Sequence, residues 1–257
     1  MKIQELFDLR GRVAIVTGGG KGIGLKMAEG LAEAGADIVL CSRKIENCQQ
    51  AAAEISRLGV KTLARKCDVK SAGDVQKVVD DTVKEFGRID VLVNNSGANW
   101  GAAPEDYPLE GWNKVMETNM TGAFLFSQAA GRVMIRQRQG NIINIASIMG
   151  VIGMEGDAAD AIAYSASKGA LITFTKDLAA KWAKHNIRVN AIAPGWFPTD
   201  MSRWVLENQG AKLNAHIPMH RFGEGDELKG ATVFLASAAA SYVTGAVLPV
   251  DGGYLSV

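Results

Sequence analysis

The sequence predicts an α/β fold: a doubly wound parallel sheet of seven strands, with helices on both faces, in a single domain. Short runs rich in Val and Ile alternate with longer stretches whose apolar residues recur at helical spacing. No linker, repeat or low-complexity segment divides the chain. A chain of 257 residues is long enough to bury the core of such a domain, so we expect residues 1–257 to fold as one unit.

Seven strands are predicted, most of them from the runs rich in Val and Ile. They lie at residues 13–17, 37–41, 61–66, 90–94, 141–146, 188–193 and 246–250. Helices are predicted at about 25–34, 71–87, 109–138, 163–185 and 225–238. Right-handed crossovers bring the carboxyl ends of parallel strands to one edge of the sheet. The segments that follow the strands are therefore expected to form one site; they include the glycine-rich turn at 18–24, Arg43, Asp68, Asn94, Ser147 and Pro194.

The first strand runs directly into a glycine-rich turn, GGGKGIG at residues 18–24, and then into a helix. The spacing is TGxxxGxG, with the glycines at Gly18, Gly22 and Gly24. Glycine allows the backbone to approach a pyrophosphate, and a helix N-terminus offers free N–H groups and a positive dipole end. A turn of purely structural purpose is the alternative, but the order strand, turn, helix favours a dinucleotide site.

The end of the second strand indicates which dinucleotide binds. Sites that prefer NAD usually carry an acidic residue there for the ribose 2′-hydroxyl. Here the strand ends in Ser42 and Arg43, and the first acid is Glu46. Arg43 and Lys21 are both suited to a 2′-phosphate, because guanidinium and ammonium groups pair with phosphate oxygens. We expect NADP(H) to be favoured, with NAD(H) possible.

Three residues predict the chemistry. Tyr164 and Lys168 are four residues apart, which is one helical turn, and Ser147 follows a predicted strand. A neighbouring ammonium lowers the pKa of a phenol, which is ordinarily about 10. Tyr164 can then act as general acid to a ketone or general base to an alcohol, while Ser147 hydrogen-bonds the substrate oxygen. The same spacing also occurs in helices where one tyrosine is buried and one lysine is solvated. The catalytic interpretation of the pair therefore depends on the glycine-rich turn, which independently indicates a dinucleotide site.

Composition excludes other classes of function. The 28 basic and 27 acidic residues give a net charge of +1, and no nucleic-acid partner is expected. No apolar run has membrane-spanning length, and the N-terminus lacks the apolar core of a signal peptide. The three cysteines lack metal-site spacing, and Pro218 interrupts the pair His216 and His220. We expect a cytoplasmic protein with no metal site and no membrane partner.

The chain resembles the single-domain branch of the short-chain dehydrogenase/reductase family from about Leu9 to Tyr254. The motifs that carry the resemblance are TGGGKGIG at 17–24, CDV at 67–69, NNSG at 94–97, TNMTG at 118–122, Ser147, YSASK at 164–168, NAIAPG at 190–195 and PVDGG at 249–253. The resemblance implies a Rossmann-type fold and direct hydride transfer between a nicotinamide cofactor and a ketone or secondary alcohol. It also implies a homotetramer, assembled through the two long central helices and the C-terminal strand region.

The resemblance implies a catalytic set of four residues: Asn119, Ser147, Tyr164 and Lys168. Tyr164 would be the acid/base, and Ser147 would position the substrate oxygen. Lys168 would lower the tyrosine pKa and hold the nicotinamide ribose. Asn119 would anchor a water that links the lysine to solvent.

The family's cofactor contacts can be carried over in the same way. The implied residues are Gly18, Lys21, Gly22, Ile23, Gly24, Ser42, Arg43, Asp68, Val69, Asn95, Gly97, Tyr164, Lys168, Pro194, Gly195, Phe197 and Thr199. Asp68 and Val69 would meet the adenine, and Pro194 would flank the nicotinamide. Asn95 would brace the central strand near the ribose and Thr199 would contact the carboxamide, although purely structural roles fit both residues.

The segment at about 196–225 is the expected substrate lid. It interleaves apolar residues with cations: Trp196, Phe197, Met201, Trp204, Met219 and Phe222 with Arg203, Lys212, His216, His220 and Arg221. An apolar pocket with cationic edges suits an acyl thioester, a sugar acid or another anionic carbonyl compound. The chain is similar to the gluconate 5-dehydrogenase-like and 3-oxoacyl-thioester reductases of the family, and both substrate classes stay open.

The sequence departs from the family's usual pattern at two places. The family's NNAG is NNSG at 94–97, and the segment between Ser147 and Tyr164 is a few residues longer than usual, so it should bulge over the substrate pocket.

Two alternative functions stay open. An enoyl-thioester reductase is one alternative, but its tyrosine and lysine are typically spaced more widely. A catalytically silent dinucleotide-binding sensor is the other, and the intact catalytic set argues against it.

Overall fold

The computed structural model describes residues 1–154 and 160–257, and these contain seven strands in one sheet. The strands are β1 (Val13–Thr17), β2 (Asp37–Ser42), β3 (Thr62–Lys66), β4 (Val91–Asn94), β5 (Gly140–Ile145), β6 (Ile187–Pro194) and β7 (Val247–Val250). Their order across the sheet is β3-β2-β1-β4-β5-β6-β7, and all neighbours are parallel. The strand order reverses between β1 and β4, which is where doubly wound sheets bind ligands. The predicted fold class is confirmed.

Helices cover both faces of the sheet. They are α1 (Ile3–Leu6), α2 (Gly22–Glu33), α3 (Ile45–Ser56), α4 (Ala72–Phe86), α5 (Leu109–Met116), α6 (Gly122–Gln137), α7 (Ile162–Trp182), α8 (Arg203–Ala215) and α9 (Glu227–Ala236). The predicted continuous helix at 109–138 is wrong in one detail, because a π-helical turn (Glu117–Thr121) separates α5 from α6. Among these described helices, none has both the length and the apolar character that a membrane crossing requires.

The core is divided between the two faces of the sheet. Along β1, Ala14 and Val16 belong to the layer beneath α2 and α9, whereas Val13 and Ile15 belong to the layer beneath α4 and α6. All of β1 and β4 is buried, as expected for strands covered on both sides. This burial fixes the positions of the strand ends and of the loops that follow them.

The predicted bulge between Ser147 and Tyr164 falls partly at residues 155–159, which lie outside the described residues. On its N-terminal side, a 3₁₀ turn (Ile148–Gly150) directly follows Ser147. On its C-terminal side, α7 begins at Ile162. Both ends of the segment therefore start from the carboxyl edge of the sheet.

Candidate active site

The carboxyl ends of the central strands open into a cavity of about 1610 Å³. All of the cofactor-binding residues predicted from the sequence line this cavity, and so does Ser147. Asn119 is the exception among the predicted site residues, since it is buried outside the lining. The cavity also extends beneath the predicted lid, from Trp196 to Phe222.

The glycine-rich turn brings backbone close to the cavity at one end. Gly22, with φ of +60°, adopts a left-handed conformation that favours glycine, and α2 begins there. At Gly24, an added Cβ would lie 2.3 Å from Nδ2 of Asn95. That amide donates to the Thr17 carbonyl at 2.9 Å, so it braces β1 against β4. The N-terminal amides of α2 thus form a cradle without side chains, which fits a pyrophosphate.

The two cations predicted to hold a 2′-phosphate have different surroundings. Arg43 is exposed on the cavity wall, and in the described part of the chain it has no hydrogen bond or ion pair. Nζ of Lys21 instead donates to Asp200 of the lid at 2.6 Å. Arg43 is therefore available to a ligand, whereas Lys21 already joins the glycine-rich turn to the lid.

The tyrosine, lysine and serine meet at the floor of the cavity. Tyr164 and Lys168 lie in the first two turns of α7, and Lys168 Nζ is 5.4 Å from the centroid of the tyrosine ring. The same Nζ donates to the Ile145 carbonyl at 2.6 Å. The Ser147 hydroxyl hydrogen-bonds the phenol, and its oxygen also accepts from the Met149 amide at 3.2 Å. The end of β5 and the start of α7 therefore assemble the reaction centre.

Burial determines the protonation behaviour of this centre. It raises the pKa of Tyr164, and the hydrogen bond with Ser147 lowers that pKa in part. It lowers the pKa of Lys168 from 10.5 to about 8, because the ammonium contacts a neutral carbonyl and no carboxylate. Burial is the largest cause of the raised pKa and Lys168 is not among its causes, so the lowering of the phenol pKa by Lys168 stays a prediction. Tyr164 holds its proton at neutral pH.

Asn119 lies in the π-helical turn behind the cavity wall. Its Oδ1 accepts from the Ala98 amide at 2.7 Å, and its Nδ2 donates to Ser167 Oγ at 2.9 Å. The Ser167 hydroxyl donates in turn to the Tyr164 carbonyl at 2.7 Å. The side chain of Asn119 therefore ties the loop after β4 to the helix that carries Tyr164. π-Turns of this kind are frequent at functional sites.

An apolar cluster packs around Tyr164, and most of its members were not predicted from the sequence. It consists of Ile148, Met149, Met154, Ala161, Tyr164, Trp196, Tyr254 and Leu255. The run of apolar residues directly after Ser147 was a usable signal for its first members. Tyr254 and Leu255 gave no such signal, because only the fold brings the C-terminus to this place.

The lid contributes fewer cations to the cavity than the sequence predicted. Of the five candidates, only Arg203 lines the cavity, and it pairs with Asp200. Arg221 pairs with Glu227 on the outside of the lid. Asp200 and Glu207 also line the cavity, so Arg203 is the one described lid cation that the structure brings to the expected cationic edge, and two acids lie there with it. Within the described residues, no group of histidine, cysteine or acidic side chains is arranged to hold a metal ion.

Comparison with known proteins identifies the family. The family model described as Enoyl-(Acyl carrier protein) reductase matches residues 18–255. The rhamnolipids biosynthesis 3-oxoacyl-[acyl-carrier-protein] reductase of Pseudomonas aeruginosa is 39% identical over 254 residues, which cover 96% of this chain and 98% of that protein. The chain belongs to the short-chain dehydrogenase/reductase family. It is therefore an oxidoreductase.

Two further relatives extend the comparison. The 5-keto-D-gluconate 5-reductase of Escherichia coli strain K12 is 36% identical over 255 residues, with 98% of this chain and 99% of that protein covered. The crystal structure of a gluconate 5-dehydrogenase from Burkholderia cenocepacia, in complex with NADP and tartrate, superposes with a TM-score of 0.94 at 37% identity and covers 100% of both chains. Membership of this family agrees with interconversion of ketones and alcohols.

The buried lysine predicts a pH dependence of stability. Below pH 8 the folded and unfolded states both carry the charge, so the folded state bears the cost of burying it. Above pH 8 the folded state releases the proton first, so the free energy of unfolding rises with pH. Urea unfolding should show wild type gaining about 2–3 kcal/mol relative to Lys168→Met between pH 8 and 10.5. A constant difference across that range would contradict the depressed pKa.

Proposed function

We propose that this protein reduces a ketone to a secondary alcohol, and catalyses the reverse oxidation, with NADP(H) as its favoured cofactor. The observation that carries the proposal is the meeting of Tyr164, Ser147 and Lys168 on the floor of a cavity whose other end is the cradle at the N-terminus of α2. A proton donor and a cofactor cradle in one cavity are the two requirements of this chemistry.

The residues of the reaction centre have complementary roles in this proposal. NADPH held by the cradle at the N-terminus of α2 and by Arg43 would supply the hydride that the carbonyl carbon accepts. Tyr164 donates its proton to the carbonyl oxygen as negative charge develops there, and the Ser147 hydroxyl hydrogen-bonds the same oxygen. The Lys168 ammonium stabilises the phenolate that remains. In the oxidation, the phenolate accepts the alcohol proton. The raised pKa of Tyr164 favours the protonated form that ketone reduction needs.

The preference for NADP(H) rests on Arg43. It is an exposed guanidinium on the cavity wall, it has no partner in the described chain, and it follows the strand whose end usually carries an acid in NAD-preferring sites. The relative from Burkholderia cenocepacia was crystallised with NADP, which supports the same cofactor here. Of the two cations expected to hold the 2′-phosphate, Lys21 already pairs with Asp200 and only Arg43 is unpaired among the described residues. NAD(H), which lacks this phosphate, is therefore retained as a weaker second cofactor.

The order of residues around the cavity supports the remaining assignments. Ser42, Asp68 and Val69 lie near Arg43 and would contact the adenosine. Pro194 ends β6, beside the strand that leads to Ser147, and would contact the nicotinamide, as would Thr199. The complete set of cofactor contacts proposed is Gly18, Lys21, Gly22, Ile23, Gly24, Ser42, Arg43, Asp68, Val69, Asn95, Gly97, Tyr164, Lys168, Pro194, Gly195, Phe197 and Thr199. Asn119 is proposed as the residue that positions α7.

The description of the matching family model favours a second candidate, an enoyl-thioester reductase. The four-residue spacing of Tyr164 and Lys168 argues for the ketone reaction, because enoyl reductases of this family typically space the pair more widely. A catalytically silent sensor would have no use for a half-buried, protonated tyrosine hydrogen-bonded to a serine. The ketone substrates named for the relatives belong to two classes, keto-sugar acids and 3-oxoacyl thioesters.

We also propose that the protein forms a homotetramer in the cytoplasm. The outer edge of β7 has no strand partner in the described chain, and such edges are usually covered. A groove of about 310 Å³ lies between α4 and α6, and Phe124 of α6 is exposed. Both surfaces suit burial against other copies of this chain. The three cysteines are free thiols, in agreement with a reducing compartment.

Replacement of the proposed acid tests the reaction directly. Tyr164→Phe should lower kcat for NADPH-dependent ketone reduction, followed at 340 nm, by at least about 100-fold, because it removes the proton donor. NADPH binding, measured by fluorescence titration, should change little. Tyr242→Phe is the matched control, since Tyr242 is fully exposed and lies outside the cavity. An unchanged kcat in Tyr164→Phe would refute the acid/base role.

Reversal of the charge at residue 43 tests cofactor selection. Arg43→Asp should raise KM for NADPH at least about tenfold more than KM for NADH, because the guanidinium pairs with the 2′-phosphate and the carboxylate repels it. Arg57→Asp, at the end of α3, controls for net charge. Equal effects on the two cofactors would exclude Arg43 as the residue that recognises the phosphate.

The assembly is tested by size-exclusion chromatography with light scattering. A homotetramer should elute with about four times the 27.3 kDa mass of the chain. Introduction of a charge at the exposed ring of α6, Phe124→Glu, should shift the mass towards smaller species. A wild-type protein that scatters as a monomer at micromolar concentration would contradict the proposal.

A further inference from the structure

We infer that the substrate end of the cavity selects neutral ketones with an apolar body and discriminates against ketones that carry a carboxylate, and that Glu207 enforces part of this selection. The inference rests on the proposed ketone reduction and narrows its substrate class. One relative is named for reduction of a sugar acid and another for reduction of an acyl thioester, so family membership does not decide between these two substrate classes.

The surroundings of the proton donor are the first support. Tyr164 packs in the cluster that contains Ile148, Met149, Trp196 and Leu255, and no member of this cluster carries a charge. A carboxylate placed there would lose its hydration without gaining a charged partner, which is costly. A hydrocarbon or ester group would bury apolar surface against the same side chains, which is favourable.

The cations that line the cavity are the second support, because each described one is engaged or distant. Lys21 and Arg203 share the carboxylate of Asp200. Arg43 and Lys44 follow β2, which β1 and β4 separate from β5, the strand that leads to Ser147. Lys168 donates to a backbone carbonyl and is assigned to the cofactor ribose and the tyrosine. None of these cations is placed to bind a carboxylate on the far side of the substrate.

Glu207 is the third support. It is exposed on α8, it lines the cavity, and within the described residues it forms no hydrogen bond or ion pair. Val205 and Leu206, beside it, also line the cavity. The other charged lid residues of the lining, Asp200 and Arg203, pair with each other, so the unpaired charge that the described residues place on this face of the lid is negative. A fixed negative charge at a cavity wall repels anions and has little effect on neutral molecules.

The experiment uses a pair of ketones that differ in charge, ethyl 3-oxohexanoate and 3-oxohexanoate, with saturating NADPH at low ionic strength. We expect kcat/KM for the ester to exceed that for the acid at least about tenfold in wild type. Glu207→Gln should raise kcat/KM for the acid about fivefold and leave kcat/KM for the ester unchanged. Glu207→Lys should raise kcat/KM for the acid further. The difference should shrink in 0.5 M salt, because screening weakens the repulsion.

Glu85→Gln is the matched control, because Glu85 is an exposed acid on α4 far from the lid. It should leave both substrates unchanged, and circular dichroism should show all variants folded. Equal or faster turnover of the acid by wild type would overturn the inference. Folded Glu207→Gln and Glu207→Lys variants with an unaltered ester-to-acid ratio would overturn the role of Glu207. Absence of turnover of both ketones with either cofactor would instead refute the proposed function, and with it this inference.

Discussion

The active site depends on the contact between a buried ammonium and the end of a strand. Lys168 Nζ donates to the carbonyl of Ile145, the last residue of β5, and this bond fixes the start of α7 against the sheet. Gly150 allows the close approach, because an added Cβ there would lie 2.6 Å from the backbone carbonyl carbon of Lys168. The distance between Tyr164 and Ser147 follows from this docking.

The same contact costs stability and supplies chemistry. Burial of a lysine beside a neutral carbonyl disfavours its charge, which is why its pKa falls to about 8. The compensation comes from the surrounding packing and from hydrogen bonds such as that from Asn119 to Ser167, which fix the helix in place. Strained or desolvated groups persist where the rest of the fold over-determines them, and functional sites are where they concentrate.

The two halves of the cavity differ in physical character. The cofactor half is lined by backbone amides, which form the cradle at the N-terminus of α2, and by the guanidinium of Arg43, which is unpaired among the described residues. The substrate half adjoins an apolar cluster, against which Tyr254 from the C-terminal segment packs. Lys21 and Asp200 connect the halves, because their ion pair joins the glycine-rich turn to the lid. Exposed ion pairs of this kind contribute little free energy to folding.

The sequence alone determined the sheet, the glycine-rich turn and the spacing of Tyr164 and Lys168. These features are local, since strand periodicity, turn chemistry and helical spacing are properties of short segments. The seven strands and the residues at their carboxyl ends were therefore predictable. So was the convergence of Ser147 with the tyrosine, because parallel strands bring their ends to one edge.

Only the tertiary structure decided which of these groups are charged, paired or hidden. Lys21 is paired because residue 200, far away in sequence, lies beside it. Asn119 is outside the cavity because a π-turn directs it towards Ala98 and Ser167. The pKa of Tyr164 rises because burial disfavours the phenolate. Desolvation and ion pairing depend on what the whole chain packs around a group, and a local pattern of residues does not contain that information.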